Sequence, residues 1–398
     1  MLELVPLASI SPFILAALLQ PAGFVAPEPT RLTVTITLPE QVKEPVYIAG
    51  NLDPFGPWDP KKFVVPGEGR TRTFEVAVPN GHRFEFKVTL GSWDRQQVDA
   101  TGRVMGNHVV EPGTTTYSVE VAGFGNGVDN LIGNIQERVT TGQVELWRDV
   151  ESRHGILKRH VIVWLPPEYA KEPERRFPVL YMHDGQNVID AALSFAGDEW
   201  GIDEAIVRLS SAGRLEPMIV VAPFNSADRH LEYWPYAKGP QYARFLVEEL
   251  KPRVDSAFRT KPEREHTAVM GSSMGGVISF YLAQAHADTF GRAACVSTHW
   301  VYEEDRYPAE IEKMADFPRN VRLYFDFGTV DADAPYEPLQ DRVSAKFRQW
   351  GWREGMDFIV RKFPGASHNE AAWRARLDYV LLDLFSMPMG EAPKPAAP

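Results

Sequence analysis

Beyond a Pro-rich joint at Ala26-Pro27-Glu28-Pro29, apolar and polar positions alternate along the chain. Leu32-Thr33-Val34-Thr35-Ile36-Thr37-Leu38 has the period of two expected of a half-buried strand. Further short strands are predicted at Val46–Ala49, Thr73–Val78, Phe84–Val88 and Thr116–Val121, separated by turn signals such as Pro79-Asn80-Gly81 and Glu111-Pro112-Gly113. Several short strands without an amphipathic helix between them predict a small all-β, immunoglobulin-like sandwich over residues 30–124. Residues 125–142, rich in Gly and Asn and without clear periodicity, read as a linker.

From about Gln143 the pattern changes. Apolar runs at Val161–Leu165, Val179–Met182, Met218–Val221, Thr267–Met270, Ala293–Val296, Arg322–Phe325 and Phe358–Arg361 suit strands covered on both faces. Helical spacing lies between them: Tyr242, Phe245, Leu246 and Leu250 share one face, and Glu337–Trp350 reads similarly. Strands alternating with helices predict an α/β domain over residues 143–386 with a mostly parallel sheet. Residues 387–398 read as a disordered Pro/Ala tail.

The ends and the composition narrow the class. Residues 1–29 form a leader whose apolar stretch Val5–Leu19, followed by Pro21-Ala22-Gly23, is signal-peptide-like, although Glu3 stands where a positive charge is expected. This favours a periplasmic or secreted location over a cytoplasmic one. Pro6 and Pro12 break the stretch, which argues against a stable membrane span. A formal net charge of −11 argues against a nucleic-acid partner. Cys295 is the only cysteine and sits in a buried-strand pattern, so disulfides, cysteine zinc sites and a thiol nucleophile are not expected.

The chemistry centres on Gly271-Ser272-Ser273-Met274-Gly275, which follows a strand pattern and precedes a helical one. A strand–turn–helix junction with flanking glycines presents the central Ser273 from a strained turn as a nucleophile. A serine needs a base, and the base an orienting acid, each on a loop after a later strand. His368 follows the last strand and is the expected base; His299 comes too early and reads as a pocket or structural residue. Asp331 is the expected acid, with Asp333 and Asp326 as alternatives. The Met274 amide and one from Gly185 or Gln186 would form the oxyanion hole. Asp184, Arg229, Trp234 and Trp300 are candidate pocket residues. His183-Asp184 lacks the second ligand pair of a metal site, so no metal or cofactor is expected.

Five stretches together carry a family likeness: Pro178–Asn187, Asp198–Glu204, Arg229 with Glu232-Tyr233, Gly271–Gly276 and Gly365–Trp373. Over roughly Gln143–Phe385 the chain resembles the putative-esterase family of α/β-hydrolases, which includes enterochelin, feruloyl and acetyl-xylan esterases and relatives of mycolyltransferases. The resemblance implies an α/β-hydrolase fold and cofactor-free ester hydrolysis with Ser273 as nucleophile and His368 as base. The acid varies across that family. The N-terminal part is similar to starch- and glycogen-binding modules at Val46–Asn51, Phe55–Pro60, Phe84–Lys87 and Gly91–Trp93, which implies sugar binding by Trp58, Lys87 and Trp93. The same tryptophans could equally be core, or the module could shape the esterase entrance. The expected partner is a small-molecule or polysaccharide ester, with glucan as a further candidate. A siderophore trilactone, acyl transfer to a sugar, and an inert glycan-binding scaffold are the competing readings.

Overall fold

The computed structural model describes residues 29–386 apart from 41, 57, 101, 103, 126–131, 133, 134, 195 and 196. The leader and tail expectations fall on residues 1–28 and 387–398, outside the described residues.

Residues 30–125 form two facing sheets. One has the order β4 (Thr71–Val78), β1 (Thr30–Thr37), β8 (Thr116–Glu120). The other runs β3 (Phe63–Val64), β2 (Tyr47–Gly50), β5 (Phe84–Thr89), β6 (Gln96–Val98), β9 (Gly123–Gly125), with β7 (His108–Val110) also on β5. Alternation decides the core: Leu32, Val34 and Ile36 point inward from β1 and meet Phe74, Val76, Phe84, Phe86 and Val88. Stacking of Phe84 on Phe86, with ring centroids 5.0 Å apart, closes its centre.

The segment after the sandwich packs on the second domain. Ile132, Ile135 and Val139 are buried in the same cluster as Trp164 and Val188, and Arg138 pairs with Asp190 at 2.7 Å. The interval read as a linker therefore has its own apolar stripe.

The second domain is built on one eight-stranded sheet. Its order is β10 (Gln143–Val150), β11 (Arg159–Leu165), β13 (Ile219–Pro223), β12 (Val179–Met182), β14 (Thr267–Ser272), β15 (Arg292–Val296), β16 (Arg322–Phe327), β17 (Phe358–Lys362). β11 is antiparallel to both its neighbours, and every pair from β13 to β17 is parallel. This is the α/β-hydrolase fold. The strands from β11 to β16 are almost wholly buried, as a sheet covered by helices on both faces requires. Tyr242, Phe245, Leu246 and Leu250 all lie in the core on one face, while the helices Ile202–Ser211 and Glu370–Ser386 help cover the other. Among the described residues no helix is long and apolar enough to cross a membrane.

Candidate active site

The parallel order brings the carboxyl ends of β12, β14, β15, β16 and β17 to one edge of the sheet, and the loops there carry the candidate chemistry. Between β14 and the helix Met274–Ala285, Ser273 adopts φ 57° and ψ −123°, a conformation side chains rarely take. Such strain costs roughly 1–3 kcal/mol and persists only where the surroundings hold it. Here the Ser273 amide donates to the Val296 carbonyl at 3.0 Å, and the His299 amide donates to the Ser273 carbonyl at 3.2 Å. A Cβ on Gly271 would come within 2.8 Å of the Gly275 backbone, so the turn closes only without one. Ser273 is half-buried, whereas Ser272 and Ser279 are buried, Ser279 bonding the Gly275 carbonyl at 2.7 Å.

His368 stands on the loop after β17. The Phe363 amide bonds Phe327 at 2.9 Å and the Gly365 amide bonds the Thr329 hydroxyl at 2.8 Å, which ties that loop to the one after β16. Its ring lies edge-on between Tyr336 and Trp373, with centroids 5.9 and 5.0 Å away. Its Nδ1 is 2.5 Å from Asp333 Oδ1. The acid on the histidine is thus Asp333, and the expectation for Asp331 is corrected. The two residues bound a single 3-10 turn, Asp331–Asp333. At about three residues per turn, positions two apart face different ways. Asp331 points to solvent, while Asp333 is only 1% exposed. Burial alone would raise the Asp333 pKa, but bonds from His368, Ser297 and the Gly328 amide prevail and hold it below the usual carboxylate range. Asp326, the other alternative, lies within β16 and pairs with the buried Arg376 at 2.9 Å.

Among the described residues no hydrogen bond joins Ser273 Oγ to His368. His299 lies next to the elbow, its amide holding the Ser273 carbonyl. His299 Nδ1 lies 2.6 Å from the Tyr336 hydroxyl, and burial pushes its pKa down to about 3, so the ring is neutral at pH 7.

The Met274 amide begins the elbow helix, where the first N–H groups have no partner within the helix. Across from it, β12 leads through Asp184 (φ 56°) into the 3-10 turn Gly185–Asn187, so Gly185 and Gln186 supply the turn's first two amides. A Cβ on Gly185 would run into the Ala222 carbonyl, which explains the glycine. The Gln186 side chain accepts from the Asn225 amide at 3.2 Å.

The pocket expectations need revision. Asp184 is buried and grips Arg229 through two bonds of 2.6 and 2.8 Å, with Asn225 on the same carboxylate at 2.7 Å. A Cβ on Gly275 would lie 3.3 Å from its Oδ2, so the elbow passes close to this carboxylate. Trp300 is 1% exposed and bonds Gln340 at 2.9 Å, packed on Phe280 and Tyr307; it is a core residue. Trp234 is 2% exposed and packs behind Tyr302 and Tyr236. His230, stacked on Tyr302 at 6.1 Å, is exposed and escaped notice in the sequence because a lone histidine carries no spacing signal.

In the sandwich, Trp58 and Trp93 are partly exposed, but Lys87 is buried. Its Nζ donates to Gln96 at 3.1 Å and to the Met105 carbonyl at 2.5 Å. Thr89, Gln96 and Gln97 are buried beside it, so this part of the sheet is not an open sugar platform. Burial pushes the Lys87 pKa down to about 7, opposed by the charge of Glu370 in the hydrolase domain. Among the described residues no group of three or more His, Cys, Asp or Glu side chains could hold a metal ion.

A bifunctional endo-1,4-beta-xylanase/feruloyl esterase of Xylanibacter ruminicola is 25% identical over 258 residues, which cover 64% of this chain and 31% of that protein. Among solved structures, an IroE-like serine hydrolase from Shewanella oneidensis superposes with a TM-score of 0.51 at 19% identity, covering 61% of this chain and 80% of that one. The ferric enterobactin esterase of Salmonella typhimurium gives a TM-score of 0.50 at 15% identity, covering 89% of this chain and 93% of that one. At these identities the two structures speak for the fold. The family model described as Putative esterase matches residues 157–384, more than half of the chain, and the chain therefore belongs to that family of esterases.

Proposed function

We propose that this enzyme cleaves carboxylic esters through an acyl-enzyme on Ser273, with His368 as base and Asp333 as its orienting acid. The observation that carries the reading is the 2.5 Å contact between His368 Nδ1 and Asp333 Oδ1, beside a serine held at φ 57°. His368 Nε2 takes the Ser273 proton as Oγ adds to the acyl carbon, and Asp333 steadies the imidazolium. The Met274 amide, with Gly185 or Gln186, holds the oxyanion. The proton then passes to the departing alkoxide, and a water activated by His368 releases the acid and restores Ser273.

For the substrate, the reading is an uncharged ester, such as an acyl group on polysaccharide. The basic group that a siderophore chelate would need is Arg229, and Asp184 neutralises it in a two-bond pair. The nearby His299 is neutral at pH 7, since burial lowers its pKa to about 3. The feruloyl esterase named among the relatives acts in the same direction. The filled Asp333–His368 pair speaks against an inert scaffold.

The test is Ser273→Ala against wild type on a nitrophenyl acetate, methyl ferulate and a siderophore trilactone. Wild type is expected to cleave the first two, and the variant neither. Full activity in Ser273→Ala would overturn the nucleophile; preference for the trilactone would overturn the substrate class.

A further inference from the structure

The two motif stretches flanking the site meet at a contact with no catalytic role so far. Asn187 closes the 3-10 turn that presents the Gly185 and Gln186 amides, and Glu370 opens the helix that follows His368. Asn187 Nδ2 donates to Glu370 Oε1 at 2.9 Å, and the two side chains are only 6% exposed each. The Asn187 backbone is committed as well: its amide donates to Asp184 at 2.9 Å and its carbonyl accepts from Trp200 at 2.8 Å. Each end of the contact is thus seated in a rigid element, one bearing the candidate oxyanion donors and the other the base.

A buried carboxylate costs free energy unless it is paired or hydrogen-bonded, and Asn187 Nδ2 supplies such a bond. The carboxylate also bonds its own backbone amide at the start of its helix, and its contact with Asn187 reaches beyond that helix to another loop.

We propose that Glu370 is a positioning residue for ester hydrolysis, acting through Asn187 to fix the distance between the oxyanion turn and the His368 loop. The proposal rests on the assignment of Ser273, His368 and the Gly185–Gln186 amides made above. A hydrogen bond at that spot sets how well the turn amides meet the oxyanion, which exists only in the transition state. Its loss therefore acts on kcat and leaves ground-state binding nearly untouched.

The experiment compares Glu370→Gln, Glu370→Met and Asn187→Ala in the full chain, with Ser273→Ala as reference. The readouts are kcat and KM on nitrophenyl acetate together with thermal unfolding. Glutamine keeps an acceptor for Asn187, and methionine keeps the volume without one. Glu370→Met and Asn187→Ala are expected to lose roughly 30- to 100-fold in kcat with KM within about threefold, the scale of a misplaced catalytic group. Glu370→Gln is expected to stay within about fivefold of wild type in kcat, even where its unfolding temperature matches that of the methionine variant. Should either the methionine or the alanine variant fail to fold, the other decides. A kcat within threefold of wild type in a folded variant lacking the bond overturns the positioning role while Ser273→Ala is inactive. Equal losses in the glutamine and methionine variants overturn it too. An active Ser273→Ala would instead overturn the underlying site assignment.

Discussion

Ser297 and Asp333 share a hydrogen bond of 2.6 Å, from the serine Oγ to the carboxylate Oδ2, in a place where Ser297 has no exposed surface. The same hydroxyl accepts from Arg376 at 2.7 Å and from Trp373 Nε1 at 3.0 Å, so its one proton and both lone pairs are used. With Oδ2 also held by the Gly328 amide at 2.5 Å, the carboxylate plane is fixed and Oδ1 faces His368. Ser297→Ala removes the donor to Asp333 and the acceptor of Trp373 Nε1, while Arg376 Nη2 keeps its bond to Asp326. A destabilisation of about 1–3 kcal/mol is expected in urea unfolding; a change below 0.5 kcal/mol would contradict this account of the network.

Asp333→Asn is expected to lower kcat by about 10³- to 10⁴-fold, as loss of the orienting acid does in other triads. Asp331→Asn, at the exposed end of the same turn, should remain within about threefold of wild type. Steady-state kinetics on a nitrophenyl ester checks both, and the reverse ranking would reinstate Asp331.

Glu370 gives a pH-dependent test of stability. Burial raises its pKa in the folded protein from 4.5 to about 7. The folded state then holds the proton more tightly than the unfolded one. The stability this contributes is complete below about pH 4.5, fades between pH 4.5 and 7, and is gone above. Glu370→Gln, which cannot ionise, should therefore gain on wild type by roughly 1–3 kcal/mol between pH 4.5 and pH 8. Denaturant unfolding at the two pH values measures it; an unchanged difference would mean that the carboxyl ionises freely in the fold.

Arg159 and Glu232 form an ion pair of 2.9 Å with both side chains fully buried. Glu232 also accepts from the Leu157 amide at 3.1 Å and the Ser226 hydroxyl at 2.7 Å. Glu232→Ala strands the guanidinium, and a loss of about 3–5 kcal/mol is expected. Calorimetry would refute this if the variant melted within 3 °C of wild type.

What the sequence made legible were features with local causes. A strained serine between a buried strand and a helix needs small neighbours, and Gly271 and Gly275 announce it. The parallel sheet showed itself in doubly buried runs. β10 escaped because it is an edge strand whose mixed residues, such as Glu145, Arg148 and Asp149, leave much of it at the surface. Asp333 was indistinguishable from Asp331 because the choice depends on the phase of one short turn. Lys87 misled for a similar reason: alternation with Phe86 and Val88 turns it away from the sandwich core, but β5 is covered on that face as well. Asn187 and Glu370 meet across distant parts of the chain, a relation without any local trace.

The helix Glu370–Ser386 supplies Trp373 and Arg376, both of which bond Ser297 beneath Asp333. Ser273 is translated well before any of these residues. A growing chain thus carries the elbow while it still lacks the histidine and the struts that aim it. On the proposed assignment of the site, hydrolytic activity is therefore expected only once this late helix has been made and has docked.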